Sequence, residues 1–265
     1  MLPVIDVPAI QLVVEEAVRA GIEDVLIVVG RGQSSIEDHF DRSPELEDFL
    51  EDKAKLDLLR RIRAIPEMAQ VHYVRQKEAL GLGHAVSIAE SHVAGEPFAV
   101  LLGDDLIHPT MPLVPDMLRV HDRYGRSVIA GMEVSRTEIE LYGCIEPEPV
   151  EDHLDRVKSI VEKPVADAAP STVAAIGRYV FTPEIFPALR RTSPGKGGEI
   201  QLTDAINLLA QEQAVYAHRF ESGRFDVGNP LDYLKATVEL AAERDDVGPE
   251  FRSWLGDFVQ REKLI

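Results

Sequence analysis

Two adjacent acids, Asp104 and Asp105, stand directly after the apolar run Phe98–Leu102. Such a run reads as a strand, and in an open α/β sheet ligands collect at the carboxyl ends of the strands. Carboxylate oxygens there suit Mg²⁺, which takes its other ligands from water and substrate phosphates. The same Gly-Asp-Asp also serves as a solvated turn. Asp226, in Phe225-Asp226-Val227-Gly228-Asn229, follows another strand and precedes a helix opening at Pro230. It is a candidate second metal ligand, or simply a turn or cap residue. Glu162-Lys163-Pro164 closes a further strand. Neighbours on a strand point to opposite faces, but at its end both can turn toward one pocket. There a carboxylate accepts from sugar hydroxyls and an ammonium faces a phosphate; as a surface ion pair the two would contribute little. Arg75-Gln76 leads into Gly81-Leu82-Gly83-His84. A Gln amide both donates and accepts, so it can match the N3–H and a carbonyl of uracil or thymine, and a nearby glycine lets the backbone approach the base. Gly143, after Tyr142, admits a sugar closely or serves a turn. His84 reads as a local hydrogen-bonding residue and Cys144 as an inert packed thiol.

The elements that must position these residues alternate through the first half. An i, i+3, i+4, i+7, i+8 stripe (Ile10, Val13, Val14, Ala17, Val18) predicts a helix over 8–20, with Pro8 in its first turn and Gly21 past its end. Val25–Val29 predicts a strand buried on both faces. Residues 43–64 predict one amphipathic surface helix, capped by Ser43, with acids early and Arg60, Arg61 and Arg63 late, complementing the helix dipole. Further strands are expected at 71–74, 98–102, 127–134, 157–161, 174–181 and 215–220. Further helices are expected at about 83–93, 113–124, 183–191, 199–212, 231–244 and 249–261. Strand–helix alternation implies a mostly parallel sheet with helices on both faces. The stretches 164–170 and 193–198 read as loops.

At 265 residues the chain is one large domain or two small ones, with no linker that would separate two cleanly. Asp and Glu number 46 against 28 Lys and Arg, a net charge of −18, which argues against general nucleic-acid binding and against an anionic membrane. A few local cations can still hold a small anion. The single cysteine excludes an internal disulfide and points to the cytoplasm. Neither GxGxxG nor a P-loop occurs, and no HExxH or paired CxxC spacing supports zinc.

In order and spacing, LPVIDVPAIQ, SIEDHFD, VRQKEALGLGHAV, LLGDDLI, YGCIEP, VEKP, IGRYV, GGEIQLTDAI and FDVGN resemble the bacterial UTP–glucose-1-phosphate uridylyltransferases, nearly end to end. The resemblance implies a Rossmann-like nucleotidyltransferase fold, a single domain whose residues 1–134 form the nucleotide half and 135–265 the sugar half and C-terminal helices. By resemblance Gln76 and Gly81 contact uracil, Asp104 and Asp226 hold Mg²⁺, Gly143 and Glu162 hold glucose, and Lys163 holds its phosphate. Asp104, Lys163 and Asp226 then form the catalytic set. The implied reaction joins UTP and glucose 1-phosphate into UDP-glucose and pyrophosphate by in-line attack, in a homo-oligomer (dimer or tetramer).

The family's opening strand and Gly-rich phosphate segment have no counterpart here, since Met1-Leu2-Pro3 matches just after them. Met1 is therefore expected to be an internal Met of a longer frame. The chain as it stands is expected to be aggregation-prone and nearly inactive beside a version extended upstream. Alternatives are another sugar-1-phosphate nucleotidyltransferase such as a thymidylyltransferase, a metal-dependent glycosyltransferase, and a non-catalytic relative that binds a sugar phosphate or a partner subunit.

Overall fold

The structure, a computed structural model, describes residues 1–264. A two-residue hairpin, β1 (Pro3–Val4) with β2 (Val7–Pro8), leads into α1 (Ala9–Arg19) and β3 (Asp24–Val29). Next come α2 (Ser34–Phe40), α3 (Pro44–Asp52), α4 (Leu56–Ala64) and β4 (Gln70–Arg75). The segments α5 (Leu82–Ile88) and α6 (Glu90–Val93) precede β5 (Phe98–Leu101), β6 (Asp105–Ile107), α7 (Leu113–Tyr124) and β7 (Val128–Glu133). The second half runs β8 (Gly143–Glu151), β9 (Leu154–Glu162), β10 (Val173–Phe181), α8 (Ile185–Arg191) and α9 (Leu202–Glu212). It ends with β11 (Tyr216–Phe220), β12 (Arg224–Asp226), α10 (Pro230–Glu243) and α11 (Gly248–Arg261).

Six strands form one sheet in the order β5-β10-β7-β11-β9-β8. All nine residues of β10 are buried, because helices cover both sides. Val173, Ala175, Tyr179 and Phe181 pack with residues of α8 and α9, while Ala174, Ile176 and Val180 pack with Leu113 and Met117 of α7. Residues of alternate parity therefore serve opposite cores, as a pleated strand requires. The sheet is mixed, and most of its pairings are antiparallel where the alternation had implied mostly parallel ones. The reason is local: β10 runs antiparallel to β5, β7 and β8, and β8–β9 is a hairpin. The strands β7 and β11 do pair in parallel.

The parallel pair β3–β4 stands apart from the six-stranded sheet. An apolar cavity of about 580 Å³ lies between β3 and β5, lined by Val25, Leu26 and Val28 on one side and Ala99, Val100 and Leu101 on the other. Within β3, only Ile27 and Val29 are buried. The expectation of a strand buried on both faces is thus corrected, and the open cavity accounts for the difference.

The single helix expected over 43–64 is two. Ala54 adopts φ +53°, and the Lys55 N–H reaches back to the Leu50 carbonyl at 2.9 Å, a left-handed helix ending that usually carries glycine. Glu47, buried, then receives Arg42 at 2.7 Å and Arg63 at 2.7 Å, so the late arginine braces α4 against α3 instead of answering a dipole. Ser43 contributes its carbonyl to the Glu47 N–H, not a side-chain cap. Among the described residues no helix is long and apolar enough to cross a membrane.

Candidate active site

The acidic wall is built where β5 ends. The chain passes Asp104 and enters β6, which pairs with β12 so that Asp105 and Asp226 are opposite partners. The Val227 N–H donates to the Asp104 carbonyl at 2.9 Å, bringing the two candidate ligands onto adjoining stretches. Arg178 of β10, fully buried, fixes this bend from behind. It pairs with Glu16 of α1 at 2.7 Å and donates to the carbonyls of Leu102, Gly177 and Asp105 at 3.1, 2.8 and 2.7 Å. The two adjacent acids divide. Asp105 is buried and accepts the Gly177 N–H at 3.0 Å and the Arg224 Nε–H at 2.6 Å. A Cβ on Gly177 would collide with that carboxylate, so the close approach requires glycine. The Asp104 side chain is exposed and has no hydrogen-bond or ion-pair partner among the described residues. Burial alone would lower the Arg224 pKa, but the Asp105 charge and the bonds to Tyr142 and Asp105 outweigh it and raise it.

The opposite wall comes from the β8–β9 hairpin, where Gly143 and Glu162 are partners. Lys163 takes φ +43°, a left-handed conformation uncommon outside glycine. That turn brings its side chain and that of Glu162 onto one pocket, as the strand-end reading anticipated. The Lys163 N–H donates to the Tyr142 carbonyl at 3.0 Å, and its ammonium lies 3.8 Å from Glu162. Thr203, in the first turn of α9, donates to the other Glu162 oxygen at 2.8 Å. A Cβ on Gly143 would lie 2.7 Å from the Thr203 methyl, so packing against α9 also demands glycine there.

Both walls enclose a single pocket of about 380 Å³. Asp104, Asp226, Gly143, Glu162 and Lys163 all line it, together with Arg224. Gln76 and Gly81 do not line this pocket; they form a second cluster. The Gln76 side-chain amide donates to the Gly81 carbonyl at 3.1 Å and lies 3.0 Å from the His84 ring, which makes His84 the local partner it was read as. Gly81 also answers a packing need. Its Cβ position, at φ +94°, is filled by Glu199 at 2.8 Å and the Ile200 carbonyl at 2.9 Å, so docking of the 199–200 loop accounts for the missing side chain. Leu82 and Glu199 border both clusters.

Sequence reasoning missed Glu16, Tyr142, Arg178, Thr203 and Arg224. No spacing marks them, because their partners lie up to 162 positions away. The donor set of the acidic wall fits a hard cation: Asp104 and Asp226 offer oxygen, and no His or Cys lines the pocket. Among the described residues no group of three or more His, Cys, Asp or Glu is placed to hold a metal by itself. Water and substrate oxygens would complete the shell of an ion bound here.

Residues 1–243 match the nucleotidyl transferase family. The chain is 44% identical over 264 residues to the UTP–glucose-1-phosphate uridylyltransferase of Bacillus subtilis (strain 168), covering 100% of this chain and 90% of that one. It belongs to the UTP–glucose-1-phosphate uridylyltransferases. A solved uridylyltransferase, the UTP-bound UGPase of Acinetobacter baumannii, superposes with a TM-score of 0.88 at 40% identity, covering 96% of this chain and 90% of that one. A UDP-glucose pyrophosphorylase complexed with UDP-glucose gives 0.84 at 41%, covering 92% and 90%. The family and the Rossmann-like fold that the uridylyltransferase resemblance implied therefore both hold.

Proposed function

We propose that the chain transfers a uridylyl group from UTP to glucose 1-phosphate, releasing pyrophosphate and forming UDP-glucose. The observation that carries this reading is the convergence of Asp104 and Asp226 with Glu162 and Lys163 on one pocket of about 380 Å³. The family membership supports the same reaction. Lys163, with its ammonium in the pocket, pairs with the phosphate of the sugar and lowers the repulsion between two anionic reactants. Glu162, oriented by Thr203, accepts hydrogen bonds from glucose hydroxyls, and Gly143 lines the pocket beside it. An oxygen of the sugar phosphate then attacks the α-phosphorus, so the work of the protein is alignment and charge neutralisation. No side chain need become covalently attached.

Asp104 and Asp226 are the residues that would hold Mg²⁺, which when bound neutralises phosphate charge and orients the triphosphate. Gln76, beside Gly81, is the base-reading side chain; its amide is held by local bonds in the free protein and must exchange them for uracil. The halves 1–134 and 135–265 supply the nucleotide side and the sugar side. A lone, buried, unpaired Cys144 suits a reducing cytoplasm. The test is competition: with glucose 1-phosphate and equal UTP and dTTP, UDP-glucose should dominate the product. A dTDP-sugar product would instead support the thymidylyltransferase reading.

A further inference from the structure

Arg224 touches both walls of the pocket. Its side chain is only 8% exposed. On the acidic side its Nε lies 2.6 Å from an Asp105 oxygen, one terminal nitrogen lies 2.5 Å from the same oxygen, and that nitrogen is 3.6 Å from Asp226. On the sugar side the other terminal nitrogen donates to the Tyr142 hydroxyl at 2.8 Å, and the guanidinium carbon sits 4.8 Å from the centre of the Tyr142 ring. Tyr142 in turn accepts the Lys163 N–H through its carbonyl and is followed by Gly143, the partner of Glu162.

We propose that Arg224 is a positioning residue for the sugar 1-phosphate: it holds Tyr142, and through Tyr142 the backbone that aims Lys163, in register with the Asp104–Asp226 wall. This rests on reading Glu162 and Lys163 as the sugar-phosphate side. The planar fork is what the role requires. The guanidinium carbon sits close to the tyrosine ring while separate nitrogens reach Asp105 and the hydroxyl, which a single ammonium cannot reproduce. Asp105 matters here as the anchor of that fork. It is held by the Gly177 N–H and so fixes where Arg224 can point. The left-handed turn at Lys163 has one backbone hydrogen bond tying it to this network, the one to Tyr142. Loosening Tyr142 therefore loosens the ammonium.

A purely structural ion pair would predict something different: Arg224 would neutralise Asp105, and its replacement would lower stability without selecting one substrate. Three variants separate the two. R224K keeps the charge and loses the fork, Y142F removes only the hydroxyl and leaves Asp105 paired, and the double variant tests coupling. Glucose 1-phosphate and UTP are titrated separately by calorimetry, thermal midpoints are recorded, and KM and kcat are measured for each substrate. R224K should weaken glucose 1-phosphate binding at least about tenfold and Y142F several-fold, with UTP affinity within about twofold of wild type. The double variant should bind no worse than R224K, since both break one link. Wild-type sugar-phosphate affinity in R224K and Y142F would overturn the proposal alone, whatever the thermal midpoints. Equal weakening of both substrates, or effects that multiply in the double variant, would also overturn it. Failure of the wild-type chain to bind glucose 1-phosphate would remove the proposal together with the sugar-side reading, and UDP-glucose synthesis by wild type tests that reading independently.

Discussion

Asp104 and Asp105 share a residue type and adjacent positions, yet their surroundings assign them different work. Asp105 is buried against Arg224 and Gly177, while Asp104 has no partner of its own. Asp104→Asn should therefore lower turnover about a hundredfold or more while leaving the thermal midpoint nearly unchanged. Asp105→Asn removes the nearer of two carboxylates beside the buried Arg224, leaving Asp226, and should cost about 3 kcal/mol of stability. Denaturant titration of the two variants beside their rates checks the division; equal thermal stability would contradict it. Lys163→Ala should weaken glucose 1-phosphate binding by roughly tenfold to a hundredfold, the range of a hydrogen bond to a charged group. An unchanged calorimetric affinity would remove Lys163 from the sugar-phosphate role. At this scale the sequence was informative where a residue ends a strand. Asp104, Glu162, Lys163 and Asp226, which line one pocket, are all legible that way. Arg224 and Tyr142 were not, because a guanidinium meeting a carboxylate across β6–β12 leaves no local pattern.

At the scale of elements, the helices of the second half were legible from 3.6-residue spacing, and β7 and β10 from apolar runs that are buried on both faces. The break at Ala54 was not, since an alanine in a left-handed conformation carries none of the signal that glycine would. The hairpin strand β8 was also hidden, because Pro147 and Pro149 interrupt its alternation. What holds the α3–α4 corner is electrostatic: the hydrogen bond from Arg42, with that from Arg63, pulls the Glu47 carboxyl down from 4.5 to about 2. A depressed folded-state pKa stabilises above the unfolded value and is lost as pH falls toward the folded one. The corner should therefore loosen between about pH 4.5 and pH 2. Glu47→Gln should flatten that limb of the stability–pH curve while matching wild type in shape near neutrality. A wild-type slope between those pH values in Glu47→Gln would assign the acid sensitivity elsewhere. Packing sets Gly81 in the same way, and Gly81→Ala should destabilise by pushing the 199–200 loop off the turn, seen as a lower thermal midpoint.

At the scale of the whole molecule, apolar surface is open at the cavity between β3 and β5 and at the side chains of Leu231, Leu234 and Trp254 on α10 and α11. Unpaired strand edges beside apolar surface favour intermolecular pairing. On heating, light scattering should rise before the far-ultraviolet signal is lost. Scattering that only follows unfolding would clear those edges of blame. With Asp104, Asp105, Glu162, Glu199 and Asp226 lining it beside Lys163 and Arg224, the pocket shares the acidic character of a chain whose net charge is −18. The most direct measurement is phosphorus NMR of the chain with UTP, glucose 1-phosphate and Mg²⁺, beside the Asp104→Asn variant. UDP-glucose and pyrophosphate should appear in equal amounts at a rate above the variant's, and chelating the metal should stop them. Identical traces from the two proteins, or UTP consumed without a sugar nucleotide, would contradict the account.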